Sequence, residues 1–96
     1  MNFDQNLSFE WDEQKNQANK EKHGISFETA SRIFYDENRM ERYDAEHSLH
    51  EDRYISLGLV DDVLFVVHTD RRDSIRIISA RHATKNERME YYGQFG

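Results

Sequence analysis

At 96 residues the chain is long enough for one compact domain, residues 1–96, and too short to divide into two that could each bury a core. Its 36% hydrophobic and 33% charged content, with six Phe, five Tyr and one Trp, is that of a lean globular protein and excludes a disordered one. The absence of cysteine excludes disulfides, thiolate nucleophiles and zinc–thiolate sites. A net charge of -6 argues against a generally basic nucleic-acid-binding surface, but the charge is unevenly placed. Residues 1–51 hold 6 Lys/Arg against 12 Asp/Glu, whereas residues 52–96 hold 7 against 7, and 6 of those 7 cations are arginine. This predicts a local arginine-lined groove on an otherwise acidic molecule suited to a basic protein partner. An ordinary solvated acidic surface is the alternative. The longest apolar run, Val63 to Val67, cannot span a bilayer, and Met1-Asn2-Phe3-Asp4 has no basic, hydrophobic secretory start, so a cytoplasmic protein is expected.

In chain order, Phe9-Glu10-Trp11 reads as a short strand, and Asp12 as the N-cap of a helix from Glu13 to about His23, stopped by Gly24. Ser26 caps a second helix whose Phe27, Ala30, Ile33 and Phe34 form an apolar stripe. Strands follow at Arg39 to Tyr43, Tyr54 to Leu59, Val63 to Thr69 and Ser74 to about Arg81. Asp61-Asp62 fits a two-residue turn, and Asp70 to Asp73 a four-residue one. Val63 to Val67 is apolar at both parities, which predicts a central strand covered on both faces over part of its length. Thr84 and Glu87 make a capping box for a final helix.

Two features call for chemistry. On the first helix, Asp12, Lys15, Asn16, Asn19, Lys22 and His23 share one face; it is either turned to a phosphate or RNA, or pinned to the domain by asparagine hydrogen bonds. In the last strand, Ile75-Arg76-Ile77-Ile78-Ser79-Ala80-Arg81 places two guanidinium groups in an apolar run. They are either ion-paired or line an anion site. Five residues apart, they point to opposite faces of a regular strand, and serve one groove only if the strand bulges or ends near Ser79-Ala80.

These blocks resemble the BrnT family. The matching residues are Phe9-Glu10-Trp11-Asp12, Lys15-Asn16, Asn19, Lys22-His23-Gly24-Ile25-Ser26-Phe27, Ala30, Phe34 and Asp36. Further matches are Glu51-Asp52-Arg53, Gly58, the Ile75 to Arg81 run, Ala83, Glu87 and Tyr91. The departures, Glu37 after the aspartate and Asp61-Asp62 at a turn where glycine is usual, lie in connections. The resemblance implies an α+β, RelE-like fold: a small antiparallel sheet with two N-terminal helices and a short C-terminal helix. It also implies the toxin of a type II toxin–antitoxin pair, a ribonuclease that inhibits translation. Its expected partner is a BrnA-like antitoxin that contacts DNA.

A metal-independent ribonuclease needs a base for the ribose 2′-hydroxyl, cations for the phosphorane and an acid for the leaving oxygen. On that footing His23 and Glu51 are the proton-transfer candidates, with His23 preferred because an imidazole ordinarily titrates near neutral pH, and Arg53, Arg76 and Arg81 are the phosphate ligands. Lys15, Asn19 and Lys22 are substrate-binding candidates. No cofactor and no metal are expected: His47, His50 and Glu51 look like a ligand cluster but lack a third ligand at diagnostic spacing. The competing reading is a non-enzymatic adaptor that acts only through a partner protein. The nuclease reading expects the arginines and His23 to converge on one exposed cleft.

Overall fold

A computed structural model describes residues 7–96, so the Met1-Asn2-Phe3-Asp4 start lies outside the described residues. The element order is β1 (Phe9–Glu10), α1 (Glu13–His23), α2 (Phe27–Ser31), a 3-10 turn (Arg32–Tyr35), β2 (Met40–Tyr43), a second 3-10 turn (Ala45–His47), β3 (Tyr54–Val60), β4 (Asp62–Arg71), β5 (Ser74–His82) and α3 (Lys85–Gly93). One five-stranded sheet has the order β1-β5-β4-β3-β2. It is mixed rather than wholly antiparallel: β2 to β5 alternate, but Phe9 and Glu10 run parallel to Ile75 and Arg76. The reason is chain routing, since β1 reaches β5 through two helices and three intervening strands rather than a hairpin.

Local chemistry sets the helix limits. Asp12 accepts from the backbone N–H groups of Gln14 and Lys15, and Gly24 ends α1 at φ 74°, a left-handed conformation that costs glycine little. Ser26 caps α2, which tightens after Ser31 into the 3-10 turn, and the Thr84–Glu87 capping box starts α3. Both hairpins are tighter than the sequence suggested. Asp61 alone, at φ 62°, reverses the chain between paired Val60 and Asp62. The other turn is Arg72-Asp73, because the strands stay paired out to Arg71 and Ser74.

The main core lies between the sheet and α2. The stripe of Phe27, Ala30, Ile33 and Phe34 packs with Leu64, Val66, Ile77 and Ala80, all buried. Gly58 permits the closest approach: a Cβ there would stand 2.5 Å from the Cβ of Ile33. Helix α1 has little apolar surface and is held by amides. Asn16 accepts from the N–H of Phe27 at 2.7 Å, and the Asn19 side chain bonds both the N–H of Ala80 (3.1 Å) and its carbonyl (2.8 Å). With Ile25's carbonyl also accepting from it at 2.9 Å, Asn19 does for Ala80 what a neighbouring strand would do. Helix α3 covers one end of the opposite sheet face, where Tyr91 packs with Leu57, Val63 and Ala83.

Candidate functional site

Strand register decides which side chains share a face. Along β4 and β5, Thr69 stands opposite Arg76 and Phe65 opposite Arg81. Thr69 and Phe65 are four residues apart on β4, so they point the same way, and both arginines go with them. This is possible because β5 carries one extra residue: His68 pairs with Ile77 and Val67 with Ser79, leaving Ile78 as a bulge. The odd spacing of Arg76 and Arg81 is thereby absorbed. Both lie on the sheet face away from α2.

Arg71 shares the parity of Thr69 and belongs to that face, as does Glu10, paired in register with Arg76. On the opposite flank, Glu51 bridges Arg71 (Nη2 to Oε1, 3.0 Å) and Arg53 (Nη2 to Oε2, 3.8 Å). Three arginines and two glutamates therefore gather around Thr69. Arg76 donates to Glu10 at 2.9 Å. The Ser74 hydroxyl, and then Arg76, hold the Glu10 carboxyl below the usual carboxylate range. Of the three arginines gathered here Arg53 is the least satisfied: its guanidinium makes no hydrogen bond among the described residues, and its Nε is buried without a partner.

Arg81 lies about 13 Å along the face, the span of four strand residues. It donates to Glu87 through both terminal nitrogens, at 2.8 and 3.0 Å, and its guanidinium carbon sits 3.8 Å from the centre of the Phe65 ring. The arginine contact holds the Glu87 carboxyl low despite partial burial. Each of the arginines expected at the site is thus within 4.0 Å of a carboxylate of its own chain, and they share one open face of the sheet.

The α1 candidates divide. Lys15 and Lys22 are exposed, whereas Asn19 is buried with its amide committed to Ile25 and Ala80. His23 is half-buried at the end of α1, and no hydrogen bond or ion pair joins it to Glu51 or the arginines. His47 turns to Asp44 at 3.0 Å, and Glu51 is engaged by arginine, so His47, His50 and Glu51 do not form one ligand set among the described residues. Sequence reasoning missed Arg71, Glu10 and Phe65. Ending the strand at Thr69 had put Arg71 into the turn; continuing the alternation of Phe65, Val67 and Thr69 by one step would have found it. Among the described residues, no helix is long and apolar enough to cross a membrane.

The solved structure of the Brucella abortus ribonuclease toxin BrnT superposes with a TM-score of 0.62 at 23% identity, over 82% of this chain and 99% of that one, and so shares the fold. No curated protein matches the sequence. The family model for the ribonuclease toxin BrnT of type II toxin–antitoxin systems matches residues 11–87, which include Glu51 and the Arg53, Arg71, Arg76 and Arg81 side chains. The chain belongs to the BrnT family of type II ribonuclease toxins.

Proposed function

We propose that this protein is a metal-independent endoribonuclease of RelE-like architecture that inhibits translation by cutting RNA on the open sheet face. The supporting observation is the hairpin register of β4 and β5, which seats Arg76 opposite Thr69 on the face that carries Arg53 and Arg71, with no hydrogen bond to the Arg53 guanidinium among the described residues. Two cations on strands, Arg71 and Arg76, and a third one residue before β3, Arg53, supply positive charge where a phosphorane develops, without reorganising at the moment of reaction. Glu51, held between Arg53 and Arg71, is the proton acceptor. It takes the 2′-hydroxyl proton, the 2′-oxygen attacks phosphorus, and the bond to the 5′-oxygen breaks. That oxygen leaves with a proton from the carboxyl or from solvent, giving a 2′,3′-cyclic phosphate and a 5′-hydroxyl. Arg53 and Arg76 hold the scissile phosphate, and Arg81 carries the strand farther along the face. Lys15 and Lys22 add positive charge on α1. His23 receives no role at the cluster, and Asn19 is left to the fold.

Membership of a type II system implies an antitoxin. A BrnA-like, DNA-binding protein is the proposed partner, and the acidic amino-terminal half suits a basic chain. The test is purified full-length protein on unstructured RNA in the presence of a chelator. Cleavage with cyclic phosphate ends is expected, and Arg53→Ala or Arg76→Ala should each lower the rate about a hundredfold, the scale of losing one transition-state donor. His23→Ala should cleave like the parent. No cleavage by the parent, with antitoxin binding intact, would instead establish the adaptor.

A further inference from the structure

The arginines of the open face are not equivalent, and the difference has a chemical meaning. Arg53 meets its carboxylate only at 3.8 Å, leaving its charge available. Arg81 is neutralised: Nη1 and Nη2 grip both oxygens of Glu87, and Nη1 also donates to the His82 carbonyl at 3.1 Å. Glu87 cannot readily let go, because its Oε1 also accepts the Thr84 N–H at 2.8 Å in the capping box of α3. A phosphate would have to break the cap as well as the ion pair. What Arg81 offers a ligand is its flat guanidinium plane, with Nε–H and one Nη2–H left over from the five donors. That plane rests on the Phe65 ring at 3.8 Å, and the ring itself packs against the Leu57–Tyr91 cluster on the same face.

Resting on the ribonuclease reading above, we infer that Phe65 and Arg81 form a layered platform on which a single nucleobase of the RNA stacks. Aromatic rings and arginine planes are the surfaces on which unpaired bases are held, and a charge-neutral pair suits a base better than a phosphate. The separation of about 13 Å from the Thr69 cluster places this base about two nucleotides from the phosphate held by Arg53 and Arg76. The platform therefore fixes which nucleotide is presented for cleavage. Lysine cannot replace arginine here, since it keeps the charge and loses the plane.

The experiment uses the full chain and a short single-stranded RNA carrying 2′-O-methyl groups to block cleavage, with 2-aminopurine moved one position at a time. Strong quenching at one position is expected with the parent protein. Arg81→Lys should abolish that quenching and weaken binding about tenfold, the lower range of a lost base stack. Phe65→Leu should act in the same direction, and Phe65→Tyr should keep both signals. In cleavage assays with unblocked RNA, Arg81→Lys should raise KM and leave kcat within about twofold. An abasic nucleotide at the quenched position should weaken the parent and leave Arg81→Lys unaffected. Equal weakening of both proteins, or a lysine variant that quenches like the parent, overturns the platform. If that result comes with intact cleavage, the nuclease reading survives alone; a parent that neither binds nor cuts RNA removes both. The parent's own quenching profile needs no variant, so it decides even if Phe65→Leu unfolds.

Discussion

The two faces of one sheet are put to opposite uses. Beneath α2 the residues are packed to exclusion: Ile33, Val66 and Ala80 have no more than 1% of their surface exposed, and even the polar Ser56 and His68 are enclosed. Across the same strands, only a peptide's thickness away, Arg53, Arg71, Arg76 and Arg81 lie half-exposed with carboxylates at hand. The covered face shows how a small chain reaches stability with few apolar residues. The open face shows where charge can be kept once stability has been secured elsewhere, since exposed ion pairs contribute little to folding.

The strongest way to break this division is Gly58→Val on the covered side, where a Cβ would stand 2.5 Å from that of Ile33. Loss of the cooperative thermal transition is expected. Deletion of Ile78, by contrast, removes only the residue left over between the His68–Ile77 and Val67–Ser79 pairs, so Ala80 and Arg81 keep their partners and faces, and a folded protein with the same sheet is expected.

A smaller effect sharpens the covered side. His68 is enclosed between Phe34 and Tyr54, its Nε2 is 2.8 Å from the Ser56 hydroxyl, and burial pushes its pKa from 6.5 down to about 4, outweighing the attraction of Glu41. The unfolded chain therefore binds the proton first, and stability must fall as pH drops from about 6.5 to about 4. The full shift corresponds to about 3 kcal/mol. Denaturant titrations across that range should show the decline, and His68→Phe should flatten part of it, the remainder belonging to carboxylates such as Glu87 that titrate lower. The smallest effect belongs to the open face: Arg76→Ala, despite its 2.9 Å contact with Glu10, should change folding stability by less than about 1 kcal/mol in the same titration. A larger loss would mean that the arginine face is structural.

The covered face was the more legible of the two in the sequence, because periodicity reports burial directly. The Phe27, Ala30, Ile33 and Phe34 stripe, the Asp12 and Ser26 caps, the Gly24 stop and the Thr84–Glu87 box all follow from local rules and stand where the residues imply. The parallel pairing of β1 with β5 was not visible, since two extended residues carry no signal of direction or partner. The site was legible only in part. The Ile75 to Arg81 run announced a need for a bulge, but which residue bulges depends on pairing with β4, and the reach of Arg71 to Glu51 spans 20 positions. Asn19 was ambiguous for the same reason: an amide that meets a distant backbone looks, in sequence, like one that waits for a ligand.

That amide has a bearing on solubility. Strand β5 would otherwise present bare N–H and C=O groups to the outside beyond the two residues that β1 covers, and bare strand margins recruit other chains. By bonding the Ala80 N–H and carbonyl with a side chain, α1 covers part of this margin without lengthening the sheet. The opposite margin is β2, only four residues long, with Glu41 and Arg42 at its centre. Among the described residues the sheet therefore ends in one margin partly occupied by a side chain and one that is short and charged, neither of which favours self-association into fibres.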